Sequence, residues 1–328
     1  MTDATAGQLN VAILDDYQQR VTGLPVWRAL PEGVRVHAFS TPAVDEDELV
    51  RRLEPFQVVV AMRERTVFPA RVIERLPKLR LLASTGLRNA SIDVQACKRQ
   101  GVVVSGARGA RNGRTSTSEM ALALTLALAK QVIPSHQALL EGRFQPLLAT
   151  SLAGRVLGLA GLGNIGAQMA QLGRALGMNV IAWSPNLTAA RATEHGATAV
   201  SCDELFQRSD VLSLHLVLSE RTAGLVSKAR LAQMKREALL INTARAGLID
   251  EVALLDALRE GQIAGAGLDV FWQEPLAVSH PLLKMNNVVL TPHLGYATEE
   301  NFAAFYAGVV ENILAWMQGR PVLALQEA

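Results

Sequence analysis

Three short segments carry side chains that can move a proton or bind an anion, and each follows an apolar run typical of a strand. Arg245 lies in Asn-Thr-Ala-Arg-Ala-Gly, Glu274 follows Gly-Leu-Asp-Val-Phe, and His293 lies in Thr-Pro-His-Leu-Gly. A histidine titrates near neutral pH, a carboxylate can orient its ring, and the planar fork of an arginine matches a carboxylate. Ligands of open α/β sheets bind outside the carboxyl ends of the strands, so the three segments can converge on one crevice. Each residue alone is more often structural or solvated.

A glycine-rich turn indicates what shares that crevice. Gly161-Leu-Gly163-Asn-Ile-Gly166 follows the apolar run 156–160 and opens a helical stretch, 168–176. In this strand-turn-helix setting, Gly161 permits the tight turn, Gly163 lets the backbone approach a pyrophosphate, and Gly166 allows close packing of helix on strand. The helix N-terminus adds N–H donors, so Asn164 and Ile165 are also expected to bind a dinucleotide. A glycine turn without a ligand is the alternative.

The residue at the end of the strand after the glycine turn helps to determine whether NAD or NADP binds. The acidic residue that accepts from the ribose 2′-hydroxyl is expected there, but Ser184 follows the run Val-Ile-Ala-Trp. Ser184, Asn186 and Arg191 could contact a 2′-phosphate, and a solvated Arg191 is equally compatible with the sequence. The sequence therefore predicts NAD or NADP as the cofactor and leaves the preference open.

The composition is that of a globular protein with room for two domains. The 328 residues are 49% hydrophobic and 19% charged, and 32 Lys+Arg nearly balance 30 Asp+Glu. A net charge of +2 gives no broad field for nucleic acid or an anionic membrane. The two cysteines have no neighbours at metal-ligand spacing, so no metal site is predicted. The start lacks the features of a secretory signal, and the longest apolar helical stretch is too short to span a bilayer, so a soluble cytoplasmic protein is expected.

Two series of strands and helices position these residues. The first hundred residues alternate short β-rich runs with helical stretches, including Glu46 to Leu53 after the N-cap candidate Asp45, and this order predicts a parallel sheet. A basic linker of residues 107–114 leads to an apolar helix, Thr115 to Lys130. Six strands then follow between residues 156 and 290, as in one nucleotide-binding sheet. Glu299 to Met317 reads as a final amphipathic helix that could pack back on the first domain.

With these motifs in place, the chain resembles the D-isomer-specific 2-hydroxyacid dehydrogenase family along nearly its whole length. The resemblance rests on the order and spacing of Gly-Leu-Gly-Asn-Ile-Gly, Ser-Asp-Val-Leu-Ser-Leu-His, Asn-Thr-Ala-Arg, Gly-Leu-Asp-Val-Phe and Thr-Pro-His-Leu-Gly. It implies an α/β fold of two Rossmann-like, doubly wound parallel-sheet domains with an interdomain cleft that holds the site. Residues 1–106 and 295–328 would form a flavodoxin-like substrate domain. Residues 107–294 would form the NAD(P)-binding domain, with segment 115–150 as the arm of a homodimer.

The resemblance also implies a role for each polar residue in the reduction of a 2-keto acid. His293 would protonate the carbonyl oxygen as hydride arrives, and Glu274 would orient the imidazole and hold it protonated. Arg245 would bind the substrate carboxylate and polarise the carbonyl. The implied cofactor contacts include Thr243, His215 near the adenine, and Asp269, which would accept from the nicotinamide carboxamide. A helix cap or turn role is the alternative for Asp269, and a core histidine the alternative for His215.

Two loops of the first domain resemble those that face the substrate in the family. They are Arg63-Glu-Arg-Thr and Ser-Thr-Gly-Leu-Arg-Asn, residues 84–89. Backbone N–H groups around Thr85, Gly86 and Leu87 could bind the carboxylate, and Arg63 could receive a phosphate of a larger substrate, as could Arg65 or Arg88. The second loop departs from the family's commoner Gly-Val-Asp-Asn pattern, which leaves the substrate open among glyoxylate, hydroxypyruvate, 3-phosphoglycerate and other D-2-hydroxy acids.

Two other functions are compatible with the same fold. One is a nucleotide-sensing binding protein, as in the related transcriptional corepressors, where cofactor binding promotes association with other proteins. The other is a formate- or phosphite-type dehydrogenase, whose donors lack the carboxylate that Arg245 is suited to bind. The set of Arg245, Glu274 and His293 favours a hydroxyacid dehydrogenase over both.

Overall fold

The computed structural model describes residues 8–111, 113–320 and 323–326. The chain divides into two compact units, Met1–Arg111 with Glu299–Ala328, and Asn112–Thr298. The expected boundaries at 106/107 and 294/295 are each shifted by a few residues because the fifth strand runs to Ala107 and the last helix starts only at Glu299. The predicted basic linker is therefore short, and its residue 112 lies outside the described residues.

The elements follow the predicted alternation of strands and helices. The strands are β1 (Leu9–Ile13), β2 (Val34–Ala38), β3 (Val58–Ala61), β4 (Leu81–Thr85), β5 (Val103–Ala107), β6 (Val156–Ala160), β7 (Asn179–Trp183), β8 (Thr198–Ala199), β9 (Val211–Leu214), β10 (Leu239–Asn242), β11 (Gly265–Leu268) and β12 (Val288–Leu290). The α-helices are α1 (Glu46–Leu53), α2 (Ala70–Ile73), α3 (Val94–Arg99), α4 (Gly113–Ala129), α5 (Val132–Leu140), α6 (Asn164–Ala175), α7 (Ala189–Glu194), α8 (Cys202–Arg208), α9 (Lys228–Leu231), α10 (Glu251–Arg259) and α11 (Glu299–Met317). Short 3-10 helices span Val21–Gly23, Pro25–Ala29, Ala246–Leu248 and Pro281–Lys284.

The first unit is built on a parallel five-stranded sheet in the order β2-β1-β3-β4-β5. Helix α1 starts where the sequence predicts, because the Asp45 side chain accepts from the Glu48 N–H and caps the first turn. Helix α11 returns to this unit as predicted and buries Phe305, Val309 and Ile313 in it. Segment 323–326 then adds an antiparallel bridge between Ala324 and Ser105 on β5.

The second unit is built on a parallel seven-stranded sheet in the order β12-β11-β10-β9-β6-β7-β8. The strand order reverses between β9 and β6, and the carboxyl ends beside this switch point form the usual ligand crevice of such sheets. The seventh strand, β8, is missing from the sequence prediction because two residues carry no readable periodicity. All six predicted strands are present.

Helix α4 packs on the sheet of its own unit and against α6. Ala121 and Leu124 are buried, and a Cβ added to Gly267 of β11 would lie 2.9 Å from the Leu124 Cβ. The segment after α4 is different, because Phe144 is 81% and Leu148 95% exposed. Among the described residues, no helix combines the length and the apolar character that a bilayer crossing requires.

Candidate active site

In the glycine turn after β6, one of the three glycines has room for a side chain and the other two do not. Gly161 has a φ of +103°, and a Cβ there would lie 2.7 Å from the His215 carbonyl oxygen. A Cβ on Gly166 would lie 2.1 Å from the Gly161 carbonyl oxygen. Gly163, the N-cap of α6, would meet nothing within 4 Å. The backbone is therefore accessible at Gly163, where the pyrophosphate is expected to approach.

Helix α6 presents its N-terminus to this open space. The helix is twelve residues long and begins at Asn164, which is exposed, followed by the half-buried Ile165. The first N–H groups of a helix have no partner within it and carry its positive dipole end. The turn and the helix together fit the pyrophosphate of a dinucleotide.

The position expected to contact the adenosine ribose lies at the end of β7. Ser184 is half-buried and its carbonyl accepts from the Leu187 N–H, which turns the chain toward α7. Asn186 and Arg191 are both exposed. This strand end carries hydroxyl and amide groups and, as the sequence requires, no carboxylate.

His215 is tied to the glycine turn from the neighbouring strand β9. Its N–H donates to the Ala160 carbonyl at 2.8 Å, and its Nε2 lies 2.9 Å from Ser213 Oγ. Burial lowers the pKa of His215 to about 4, so the ring is neutral at physiological pH. A neutral ring beside the turn supplies shape and one polar atom, and no charge.

The segment after β10 presents Thr243 and Arg245. The fully buried Asn242 builds the turn, since its Oδ1 accepts from the Ala244 N–H and its Nδ2 donates to the Arg245 carbonyl, both at 3.0 Å. Thr243 is 7% exposed, and its hydroxyl has no hydrogen-bond partner within the described chain. A buried hydroxyl without a partner is costly unless a ligand supplies one. Arg245 is half-buried.

Glu274 and His293 form the pair that the resemblance implies. Nδ1 of His293 lies 2.7 Å from Oε2 of Glu274, and both side chains are about one fifth exposed. The other carboxylate oxygen of Glu274 accepts from the Phe271 N–H at 3.0 Å, which fixes the carboxylate. Since Nδ1 is engaged, Nε2 is the ring nitrogen that can exchange a proton with a ligand. Tyr296 packs edge-on against the ring at 5.4 Å.

Asp269 accepts hydrogen bonds from three groups on the segment that carries His293. The carboxylate is fully buried, and its Oδ1 accepts from Thr291 Oγ1 at 2.6 Å and from the Leu294 N–H at 2.7 Å. Its Oδ2 accepts from the Gly295 N–H at 2.8 Å. Burial raises the pKa of this carboxyl above its usual range. Asp269 therefore ties down the chain on both sides of His293, whereas its expected contact with the nicotinamide remains a prediction.

The predicted substrate loops of the first unit are joined to each other. The Thr85 hydroxyl accepts from the Arg63 N–H at 2.9 Å, and the Asn89 side chain donates to the Arg63 carbonyl. A Cβ added to Gly86, whose φ is +122°, would lie 2.9 Å from Arg63 Nη1. The Arg63 guanidinium thus lies against the second loop.

Two of the predicted carboxylate-binding residues, Thr85 and Gly86, have partners within the first unit, and their contact with a substrate remains a prediction. Thr85 is fully buried, and the Gly86 N–H donates to the Ala107 carbonyl at 2.8 Å. The Thr85 hydroxyl positions the Arg63 backbone. The Leu87 N–H is also predicted to bind the substrate carboxylate. It has no acceptor among the described residues.

A further cluster at the same edge of the first sheet was missed. Asp15, which is 5% exposed and has a φ of +61°, follows β1. It accepts from Tyr17 OH at 3.0 Å and from Thr66 Oγ1 at 2.9 Å. The Arg65 guanidinium lies 5.1 Å from the centre of the Tyr17 ring. The run Leu-Asp-Asp-Tyr after a strand was the available signal, but two adjacent acidic residues usually indicate only a solvated turn.

Comparison with known proteins connects this site to a family. Residues 122–295 match the family model described as the D-isomer specific 2-hydroxyacid dehydrogenase, NAD binding domain. A glyoxylate reductase of Korarchaeum cryptofilum is 34% identical over 287 residues, which cover 85% of this chain and 86% of that protein. A D-3-phosphoglycerate dehydrogenase of Archaeoglobus fulgidus is 34% identical over 282 residues, and the chain spans only 53% of its length.

A solved structure extends the similarity to the whole fold. The phosphoglycerate oxidoreductase of Vibrio cholerae O395 is 36% identical and superposes with a TM-score of 0.89. The superposition covers 95% of this chain and 99% of that one.

Proposed function

The chain belongs to the D-isomer-specific 2-hydroxyacid dehydrogenase family, and on that basis we propose that it is an NAD(P)-dependent oxidoreductase that interconverts a 2-keto acid and the D-2-hydroxy acid. The observation that carries the proposal is the 2.7 Å contact between Glu274 and His293. This pair lies at the carboxyl ends of the sheet that also carries the glycine turn. The glyoxylate reductase relative matches over most of its length, which favours the glyoxylate, hydroxypyruvate or 3-phosphoglycerate class of substrate.

In this mechanism His293 transfers the proton and Glu274 orients its ring. During reduction, Nε2 of His293 donates its proton to the carbonyl oxygen, and in the reverse direction it takes the proton from the hydroxyl. Glu274, on Nδ1, keeps the ring oriented. When bound, the reduced nicotinamide supplies the hydride that completes the reduction.

Arg245 orients the substrate. Its guanidinium can bridge the carboxylate and the keto oxygen, which draws electron density from the carbonyl carbon. The Asn242 side chain fixes the backbone of this turn, so the guanidinium starts from a defined position. In the first unit, the Leu87 N–H and the Arg63 guanidinium are suited to the anionic end of the substrate.

The cofactor site is assigned to residues of the second unit. Gly161, Gly163, Asn164, Ile165 and Gly166 would hold the pyrophosphate, and the Thr243 hydroxyl would find its missing partner on the cofactor. Ser184 and Asn186 would face the ribose, His215 the adenine and Asp269 the carboxamide. The absence of a carboxylate at 184 permits NADP as well as NAD.

We also propose a homodimer formed through the segment after α4. Its side chains Phe144 and Leu148 are 81% and 95% exposed. Ile133, Pro134 and Thr150, which also follow α4, line a cavity of about 900 Å³ at the amino ends of β9 to β12. Exposed apolar groups beside such a cavity are typical of a protein interface. We expect a dimeric mass by light scattering, and a monomer for the variant with Phe144→Asp and Leu148→Asp. A purely monomeric wild-type protein would contradict the proposal.

One assay tests the enzymatic function. Purified protein is mixed with NADH or NADPH, and glyoxylate, hydroxypyruvate, pyruvate and phosphohydroxypyruvate are added in turn while the reduced-nicotinamide absorbance is followed. We expect turnover of at least one acid, lost in His293→Ala and kept in His37→Ala, whose ring lies on the exposed face of β2. Tight cofactor binding without turnover of any acid would instead favour the nucleotide-sensing function.

A further inference from the structure

Segment 323–326 contacts the loop that we assign to the substrate carboxylate. It runs antiparallel to β5, where the Gly106 N–H donates to the Leu323 carbonyl at 3.1 Å. The Gln326 N–H then donates to the Leu87 carbonyl at 2.8 Å. The partners in this second bond are more than two hundred residues apart in sequence, and neither side chain takes part.

The bonds around this loop fix the direction of its peptide groups. The Gly86 carbonyl faces β5, since a Cβ on Gly106 would lie 2.6 Å from its oxygen. The Leu87 carbonyl faces Gln326. In a trans peptide the N–H points opposite to the C=O, so the Leu87 N–H points away from Gly106 of β5 and the Arg88 N–H points away from Gln326.

Successive backbone N–H groups that converge can bind one anion. Neither N–H has an acceptor within the described part of the chain. The Arg63 guanidinium lies against Gly86, at the start of the same loop, and adds a positive charge. This geometry depends on the Leu87 carbonyl staying turned toward Gln326, because rotation of that peptide would carry the Arg88 N–H away with it.

We propose that the Gln326 backbone N–H is a positioning group for substrate binding: it holds the Leu87–Arg88 peptide so that both N–H groups bind the carboxylate of a 2-keto acid. The proposal rests on the function proposed above. It assigns a role in substrate affinity to a segment whose side chains the role does not require. Only the backbone of residue 326 is needed.

The test compares Gln326→Pro, which lacks the N–H, with Gln326→Ala, which keeps it. Calorimetry measures the binding of oxalate, a two-carbon dianion that mimics the keto acid, to each protein saturated with NADH. We expect oxalate to bind roughly three- to tenfold more weakly to Gln326→Pro, which is the range for one lost hydrogen bond, and normally to Gln326→Ala. The KM for the keto acid should rise by the same factor in Gln326→Pro, with kcat and NADH affinity kept.

A chain that ends at Leu325 provides a second variant, because it also lacks the Gln326 N–H but keeps the Leu325 side chain, which packs against the core. It should bind oxalate as weakly as Gln326→Pro. Wild-type affinity for oxalate in either variant would overturn the proposal, and so would the absence of oxalate binding to the wild-type protein. Failure of the proposed function has a different signature, which is a wild-type protein that turns over none of the acids.

Discussion

The imidazole of His293 is held by Glu274 at a distance of 2.7 Å, while the backbone of His293 adopts a left-handed conformation with a φ of +56°. Such a backbone is unfavourable for a non-glycine residue and persists only where its surroundings fix it. Asp269 provides that fixation through the N–H groups of Leu294 and Gly295 and the hydroxyl of Thr291. One carboxylate therefore orients the ring, and the other fixes the chain that carries it.

The acid/base pair gives the first prediction. His293→Ala should lower kcat by roughly 10²- to 10⁴-fold, because the proton donor is lost, and Glu274→Gln should lower kcat less, because an amide can still contact Nδ1. Steady-state kinetics measure both effects, and fluorescence titration should show unchanged NADH affinity. Near-normal turnover by His293→Ala would remove this residue from the proton transfer.

Asp269 gives a prediction about position. Asp269→Asn replaces one acceptor oxygen by a donor that faces other donors, so it should cost about 1–3 kcal/mol of unfolding free energy and also lower kcat. Urea unfolding and steady-state kinetics provide the two readouts. Asp256→Asn, on the exposed face of α10 with only a surface ion pair to Arg259, is the matched control and should leave both unchanged. Full activity of Asp269→Asn would show that the His293 loop does not need this anchor.

Two substitutions in the glycine turn should affect different properties, one cofactor binding and the other the stability of the fold. Gly163→Ala should fold normally, since its methyl group meets only open space, but should weaken NADH binding by roughly tenfold or more as the methyl crowds the pyrophosphate. Gly166→Ala forces a methyl group against the Gly161 carbonyl and should destabilise the fold by about 1–3 kcal/mol or more. Thermal unfolding and NADH titration of both variants distinguish the two effects. Equal NADH affinity in wild type and Gly163→Ala would place the pyrophosphate elsewhere.

Ser184 gives a prediction about cofactor preference. Ser184→Asp adds a carboxylate that can accept from a ribose 2′-hydroxyl and repels a 2′-phosphate, so it should shift the affinity ratio toward NADH by roughly tenfold or more. Dissociation constants for NADH and NADPH, measured side by side, test this. Ser201→Asp serves as control, since it only exchanges one good N-cap of α8 for another. An unchanged ratio in Ser184→Asp would mean that residue 184 does not face the ribose.

His215 makes stability depend on pH in a defined direction. Its pKa falls from 6.5 in the unfolded chain to about 4 in the folded protein, so the unfolded state binds more protons between these values. The contribution of the neutral ring is therefore complete above pH 6.5 and is lost as the pH falls toward about 4. Between pH 7 and pH 4.5 this loss should amount to about 2–3 kcal/mol. Urea unfolding at both pH values should show a smaller loss for His215→Asn, and an equal loss would contradict the assignment.

Local signals account for what the sequence predicts well. Helix α1 matches its predicted range because Asp45 caps it and its first turn is acidic and its last basic, all of which is readable within ten residues. The glycine turn and the segments with Arg245, Glu274 and His293 are equally local, so they could be placed on strand ends without a structure.

Long-range contacts account for what the sequence does not predict. The burial of Thr85 follows from its position on β4, which lies between β3 and β5, and the bond from Gln326 to Leu87 joins two distant parts of the chain. The three bonds of Asp269 depend on how two strand ends are aligned across the β11–β12 pair. No periodicity or local motif reports any of these, because each arises only when separate elements have packed.

The pairing of segment 323–326 with β5 also bears on how the protein avoids self-association through its sheets. Strand β5 is at one edge of the first sheet, where unpaired N–H and C=O groups would otherwise offer a template for a strand of another molecule. The Gly106 N–H is already engaged by Leu323, and the Ser105–Ala324 bridge covers the adjacent backbone. A chain shortened before Leu323 would expose this edge. We expect such a variant to aggregate at high protein concentration.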